Sequence, residues 1–410
     1  MARDSDVIEA YWGEFLVSCF PLEASINYCS HGCAYCFANL NSPDRRGDIE
    51  AATRMITGFW QRTSPAARLL TEGYPLLISN RVDPFSTSNE RQAIPLMELA
   101  TEMGVPLAIQ TKGGRNVDQA LAFMRPASWY ISLSFDDDAK RARVEPGAPS
   151  VDDRLRLIEK LRAKGHTVVL GLNPAVPEWC DDFDALVQRA VDAGVEGVWA
   201  ESLHLSTQQQ GRMSDREKAA VSLPVLDRMR MKGRQCADEA AWEAVKDAAT
   251  RRGLPFFYVG QWEPSRFWEV MRRPYEKTFP VLQDAINACH AGLEDGDLLT
   301  FDEFAAPFLS RLPDWEECNF RHYIAAKDQQ FAKRNHIPPM GYRGVLELLW
   351  SSERMGPVAN QAFSWAGEDN GDGTWDQLTD DEGRPILVFC KEGTTELFRE
   401  IPDDADAAAE

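Results

Sequence analysis

Over the first 260 residues the chain repeats one pattern. A short apolar run gives way to a polar loop, and the loop to a stretch whose apolar residues recur at helical spacing. FLVSCFPLEASI (15–26) can hold a first strand, and IEAATRMITGFWQRT (49–63) reads as a helix. PLLIS (75–79) predicts a strand, ERQAIPLMELATEMG a helix, and PLAIQT (106–111) and WYISLSF (129–135) two further strands. The helix VDDRLRLIEKLRAKG, the strand TVVLGLNP (167–174), the helix DDFDALVQRAVDAG and the strand VEGVWAESL (195–203) continue the alternation. A helical region over about 212–252 leads to LPFFYVG (254–260).

Strands alternating with helices predict a parallel sheet with crossover helices. Six or more such units predict an α/β fold, a partial or full (β/α) TIM-type barrel, with an open doubly wound sheet as the competitor. The dinucleotide fingerprint and the Walker phosphate loop are absent, and TKGGR (111–115) reads as a tight turn. After residue 275 the pattern changes. LLTFDEFAAPFLSRL, RHYIAAKDQQFAKRN and YRGVLELLWSS read as three helices, and AFSWAGEDNGDGTWDQLTDDEGRPILVFC as strands joined by acidic, Gly-rich turns. The expected organisation is a barrel over 1–275, a smaller C-terminal α+β domain over 276–400, winged-helix-like, and a disordered acidic tail over 401–410. Within it, EDNGDGTWDQLT (368–379) partly fits a calcium loop. Its twelfth position is Thr379, where a bidentate Glu is needed, so it reads as a hairpin turn.

Composition narrows the function. The chain of 410 residues is 44% hydrophobic and 26% charged, so it can bury a full core. Its net charge of −20 opposes generic nucleic-acid binding, which depends on Lys and Arg neutralising phosphates. No stretch reaches the ~18–20 apolar residues of a membrane span. The opening MARDSDVIEAYWGEF lacks the apolar core of a secretory signal, so a cytoplasmic protein is expected. Six of nine cysteines (Cys19, Cys180, Cys236, Cys289, Cys318, Cys390) are scattered and read as free thiols.

The other three are not scattered. Cys29, Cys33 and Cys36 fall within NYCSHGCAYCF, with His31 between them. Three readings compete: unrelated buried thiols, a structural zinc site completed by His31 or a distant Cys, or an iron–sulfur cluster held by three thiolates. Zinc wants four ligands, usually as paired knuckles, and no second knuckle exists. Three thiolates on a cluster that normally takes four leave one iron open for a substrate or cofactor.

The C-x3-C-x2-C spacing, with the aromatic Tyr35 before the last Cys, resembles the signature of the radical S-adenosylmethionine (SAM) superfamily. Within it the chain is most similar to the spore photoproduct lyase-like (DNA repair photolyase-like) subgroup. The resemblance rests on CSHGCAYCFA, ISNRVDPF, QTKGG, and EPGAPS (Glu145–Ser150) followed by Arg154 and Leu155, then LGLNPAVPEW, and covers about 15–205. It implies a radical SAM barrel. Cys29, Cys33 and Cys36 would ligate three irons of a 4Fe–4S cluster, and the fourth iron would chelate SAM. Reductive cleavage of SAM would then give a 5′-deoxyadenosyl radical that takes hydrogen from a substrate. By motif position Lys112 and Ser134 would meet the SAM carboxylate, with Asn80, Asp83, Asn173 and Tyr35 as further cofactor-binding candidates. A reducing donor such as flavodoxin or ferredoxin would supply the electron.

Two departures separate the chain from the lyase. Ser79–Asn80 stands where the lyase carries a hydrogen-donating cysteine, and Phe37 where it carries a tyrosine. The expected substrate is a nucleobase or nucleotide, with a peptide or natural product as the alternative. A non-catalytic zinc-binding protein is the rival from another class. Cys180 is a candidate hydrogen donor. KRAR (140–143) is a candidate anionic-substrate contact near the barrel mouth, whereas RMRMKGR (228–234) reads as a solvated helix end. No C-x2-C pair follows in the C-terminal region, so a single cluster is expected. Trp129, Trp179 and Trp199 read as core.

Overall fold

In the computed structural model the described residues are 8–10, 17–24, 26, 29–41, 49–231, 239–313, 341–351 and 361–400. The chain divides into two compact units. One comprises Met1–Ala10, Leu22–Tyr258 and Arg266–Thr278, and the other Tyr11–Pro21, Val259–Ser265 and Phe279–Glu410.

The first unit is built on β1 (Ile8–Ala10), β2 (Leu22–Ala24), β3 (Leu76–Ile78), β4 (Leu107–Thr111), β5 (Ser128–Ser132), β6 (Thr167–Leu172), β7 (Val198–Ala200) and β8 (Phe256–Phe257), hydrogen-bonded in chain order. β2 through β8 run parallel, and β1 is antiparallel at the edge. Among the described residues no ladder joins β8 to the first strands, so the sheet is a partial (β/α) barrel. The central strands are buried on both faces, as parallel strands under crossover helices must be. Helices Glu90–Glu102, Val151–Ala163, Phe183–Ala193 and Glu239–Arg251 lie in the crossovers, and Phe183–Ala193 packs against both Val151–Ala163 and Glu239–Arg251.

Each strand expected from the apolar runs is present, shorter than its run. The helices follow local chemistry. Ser150 accepts from Asp153 N in a capping box that starts Val151–Ala163. Gly194, at φ 103°, stops Phe183–Ala193 in the left-handed conformation. The expected 49–63 helix ends at Ile56 and resumes as a 3-10 turn at Phe59–Gln61, after Gly58. The expected 212–252 helix is three helices, Asp215–Val221, Leu223–Met231 and Glu239–Arg251. Ser214 caps the first, and Ser222, at φ 94°, breaks it from the second. Two short helices unseen in the apolar pattern, Pro65–Thr71 and Asp138–Val144, carry their signals in Ser64–Pro65 and in Asp137, whose side chain caps Lys140 N.

The second unit carries β9 (Leu298–Leu299), β10 (Phe363–Asp369), β11 (Trp375–Gln377), β12 (Leu387–Phe389) and β13 (Phe398–Arg399). The order is β11-β10-β12-β9, antiparallel, with β13 parallel to β10. The hairpin turn expected at 368–379 joins β10 to β11, where Asp369 accepts from Gly371 N and Asp372 from Thr374 N. Part of the expected first C-terminal helix is a strand. Leu298–Leu299 pair with β12, and Thr300 then caps Phe301–Leu309. The helix expected over 321–335 lies outside the described residues. No helix among the described residues is long and apolar enough to cross a membrane.

Candidate functional site

Pleating sorts the barrel residues. Ladder partners point the same way, so Gln110, Tyr130 and Val169 share one face of the sheet, as do Ser132, Gly171, Trp199 and Phe257. Lys112 follows Gln110 at a spacing of two, and its ammonium donates to Ser132 Oγ at 2.9 Å, so it reaches the same face. Trp129 and Ile131 take the opposite face, and Trp129 stacks on Phe85 with centroids 5.9 Å apart. Beyond the carboxyl ends of β2–β7, on the Lys112 face, lie the loops that carry the candidate residues, as in barrels generally.

The cysteine loop follows β2, and all three of its thiols are free. Cys29 is buried, while Cys33 and Cys36 are half-buried. His31 N donates to Cys29 Sγ and Asn39 N to Cys36 Sγ, each at 3.5 Å. Burial, with Asp83 adding to it, pushes the Cys29 thiol up to about 11. Burial likewise raises Cys33 and Cys36. Among the described residues no group of three or more His, Cys, Asp or Glu side chains is arranged to hold a single metal ion. His31 does not turn to the thiols: Nδ1 lies 3.0 Å from Gly147 O, and Nε2 lies 3.2 Å from Asp83 Oδ2.

The segment EPGAPS clamps this loop. Ala34 N donates to Val144 O at 2.9 Å, and Gly147 N to His31 O at 2.8 Å. A Cβ at Gly147 would stand 2.7 Å from Ser30 O and 2.8 Å from His31 O, so only glycine lets the two loops approach this closely. Glu145, with no exposed surface, lies beneath. Arg154 Nη2 donates to its Oε2 at 2.5 Å, the Tyr35 hydroxyl donates to its Oε1, and Lys112 Nζ stands 3.5 Å from Oε1. Burial opposes the charge on Glu145. Arg154, Lys112 and the Tyr35 hydrogen bond outweigh it and hold the carboxyl at about 2. Arg154 is also fully buried, and donates to Ser132 O and Pro149 O as well.

Asp83 is a second internal tie. It accepts from Phe85 N at 3.0 Å, Thr111 Oγ1 at 2.7 Å and Lys112 N at 2.6 Å, besides facing His31. Burial would raise its carboxyl, but His31 and these donors hold it below the usual range. Asp83 therefore joins the loops after β2, β3 and β4. Of the other candidates, Asn80 is exposed and its Oδ1 accepts from Gln110 Nε2 at 3.3 Å. The Asn80 backbone N–H donates to the buried Glu23 on β2. Asn173 is exposed, after β6, and stands near the Tyr130 hydroxyl. Among the described residues Ser134 Oγ, which is buried, has no hydrogen-bond partner, and it continues the Tyr130–Ser132 alternation. Half-buried Tyr35 lies under the Lys112 ammonium, 5.8 Å from its ring centroid, and against Trp179 at 5.1 Å. Thus Lys112, Tyr35 and Asp83 come together at the cysteine loop, whereas Asn173 belongs to the far strands.

Cys180 is buried, and its thiol is pushed up to about 12 by burial and Asp136. The KRAR expectation is corrected in part. Lys140 is paired with Asp181 at 2.6 Å and Asp136 at 3.5 Å, and Arg141 with Asp138 and the carbonyls of Glu145 and Ala148. These charges are consumed internally and do not form an anion subsite. In RMRMKGR, Arg228 pairs with Glu178, while Lys232 and Arg234 lie outside the described residues. Trp129 and Trp179 are core as expected. Trp199 is only half-buried, and its Nε1 donates to Glu201 Oε1 at 2.8 Å.

Sequence reading passed over Glu23, Tyr130, Ser132, Glu145, Arg154 and Glu201 as site residues. Glu145 and Arg154 stood inside a quoted motif, but nothing in spacing reveals that two charges will be buried against each other. Gly171 was the available signal for Tyr130. A Cβ there would lie 1.9 Å from the Tyr130 ring, so the glycine makes room for the aromatic on the neighbouring strand.

Comparison with known proteins agrees with this arrangement. Residues 25–190 match the Radical SAM superfamily profile. Uncharacterized proteins of Mycobacterium tuberculosis (strain H37Rv) and Mycobacterium bovis are 29% identical over 200 residues, which cover 45% of this chain and 58% of theirs. The chain therefore spans less than two thirds of the curated relatives it matches. Among solved structures, spore photoproduct lyase complexed with dinucleoside spore photoproduct is similar with TM-score 0.45 and 14% identity, over 58% of this chain and 77% of the lyase. Streptococcus suis SuiB bound to S-adenosylmethionine is similar with TM-score 0.39 and 17% identity, over 59% of this chain and 51% of SuiB. The segment 25–190, which matches the radical SAM superfamily, holds the cysteine loop and β3 to β6.

Proposed function

We propose that the protein binds a 4Fe–4S cluster through Cys29, Cys33 and Cys36 and uses it to cleave SAM reductively, and that residues 1–275 carry this activity beside a C-terminal α+β domain over 276–400. The observation that carries the reading is the set of three free thiols on one short loop, clamped by Glu145–Gly147 at the carboxyl edge of a parallel sheet. The donor set fits the group. Soft thiolates suit iron–sulfur clusters, and backbone N–H groups already reach Cys29 and Cys36. Thiols raised by burial stay protonated until a metal binds and displaces the proton. Three thiolates on three different irons also stand further apart than the ligands of one ion. The lack of a single-ion site among the described residues therefore weighs against zinc and not against a cluster.

When bound, the cluster supplies the electron that splits SAM into methionine and a 5′-deoxyadenosyl radical, which takes hydrogen from the substrate. The chain's own residues bind and orient. Lys112 has three N–H donors; Ser132 takes one and Glu145 faces another, which leaves one for the SAM carboxylate. Ser134 Oγ, buried and unpartnered, is the second group for that carboxylate. Asn80, Asn173 and Tyr35 present polar groups to the rest of the cofactor, and Asp83 fixes the backbone at Lys112. For the substrate, a nucleobase or nucleotide suits the half-buried Trp199 ring and the Glu201 carboxylate that its indole meets. Electrons come from a reducing donor of the flavodoxin or ferredoxin type.

The test is anaerobic reconstitution with iron and sulfide, then dithionite and SAM, with 5′-deoxyadenosine measured for the wild type and Cys33→Ala. The wild type is expected to take up iron and sulfide and form product, and the variant to do neither. A wild-type protein that takes up zinc alone overturns the reading.

A further inference from the structure

Three charged side chains meet beside the cysteine loop, and an ion pair accounts for only two of them. Arg154 satisfies Oε2 of Glu145 at 2.5 Å and braces the carbonyls of Ser132 and Pro149. Lys112 comes to the other oxygen, at 3.5 Å, and is tied to Ser132 Oγ at 2.9 Å. Its side chain is 16% exposed, and Glu145 and Arg154 are not exposed at all. Together they form one buried charge group, which the Asp83 carboxylate also meets at Lys112 N. It is attached through the Tyr35 hydroxyl and ring to the segment between Cys33 and Cys36.

We infer that Glu145 and Lys112 are positioning residues that set the electrostatic potential at the Cys33 thiolate, and with it the ease of reducing the cluster. The inference rests on the proposed cluster. Reduction adds negative charge to a centre already surrounded by thiolates, and the response of such centres depends on nearby net charge, hydrogen bonds and solvent exposure. In a buried setting a unit charge acts more strongly than in water. Removing the Lys112 cation therefore makes reduction harder, and neutralising Glu145 leaves Lys112 and Arg154 unopposed and makes it easier.

The experiment is an anaerobic redox titration of the reconstituted cluster without SAM, followed by the EPR signal of the reduced form, in wild type, Lys112→Met, Lys112→Arg and Glu145→Gln. The midpoint is expected to move negative in Lys112→Met, to stay near wild type in Lys112→Arg, and to move positive in Glu145→Gln. A purely architectural role gives no such opposition of sign. Midpoints that do not move, or that move together in Lys112→Met and Glu145→Gln, overturn the inference. Should Glu145→Gln fail to fold, the Lys112→Met and Lys112→Arg pair still decides, since only the charge on Lys112 separates them by sign. A wild type that assembles no cluster overturns the proposed function and this inference with it. A cluster with unmoved midpoints overturns the inference alone.

Discussion

The carboxyl ends of β4 and β5 differ from those of β6 and β7, although one sheet carries both. Beside the cysteine loop, Glu145 and Arg154 are fully buried, Lys112 nearly so, and Glu145 and Arg154 meet fixed partners. At the other end Asn173 is exposed and the His204 side chain is 48% exposed, 3.9 Å from Glu201. Glu201 accepts from the Trp199 indole. The first region holds its charges in place by pairing them in a low-dielectric setting. In the second, Asn173 and His204 stand within reach of solvent, where an incoming molecule can exchange their partners, while Tyr130 is buried and the Glu201 side chain is 11% exposed.

The contrast is most easily broken at Arg154. Arg154→Met leaves Glu145 charged and short of its strongest partner, and is expected to cost about 3–5 kcal/mol in a urea titration. A loss under about 1 kcal/mol would mean that the first region is not locked by charge. Acid tests the same lock. The Glu145 carboxyl lies at about 2 when folded, against 4.5 ordinarily. Its contribution is therefore complete above about pH 4.5 and disappears as the pH falls toward 2, a change of about 3 kcal/mol. Urea midpoints measured across that window should converge for wild type and Glu145→Gln, and parallel curves would contradict the assignment.

Smaller effects sharpen the picture. Gly147→Val sets side-chain atoms against Ser30 O and His31 O and is expected to cost about 1–3 kcal/mol while lowering iron content after reconstitution. Ser150→Ala removes the cap of Val151–Ala163, for about 1 kcal/mol by thermal melting, with iron uptake unchanged. Glu201→Gln keeps an acceptor for the Trp199 indole, so stability should stay within about 0.5 kcal/mol. A large loss there would place Glu201 in a lock like that of Glu145.

Particular residues show how far the sequence could be read. The strands β3 to β8 were legible because a buried parallel strand must be an apolar run bounded by loop residues, and PLLIS, PLAIQT and TVVLGLNP are such runs. The cysteine loop was legible because three thiols at that spacing have few uses. The short helix Asp138–Val144 was not, because its seven residues carry less than two turns of periodicity. β9 was absorbed into a helix because Leu298–Leu299 has no alternation of its own and is a strand only by pairing with β12. KRAR looked like a free basic patch because sequence separates Lys140 from Asp181, which tertiary structure brings to 2.6 Å.

By itself, then, the sequence determined the alternating α/β architecture, the cluster of three thiols Cys29, Cys33 and Cys36, and the positions of Lys112 and Ser134 after their strands. These depend on local periodicity and residue chemistry, which are properties of short segments. Tertiary structure alone decided that the sheet stays open, that His31 faces Gly147 and Asp83, and that Glu145, Arg154 and Lys112 form one buried charge group against the cysteine loop. Glu145 lies 116 residues after Cys29 in the chain. Burial and charge pairing depend on which distant segments close over a side chain, and no short window of sequence contains that information.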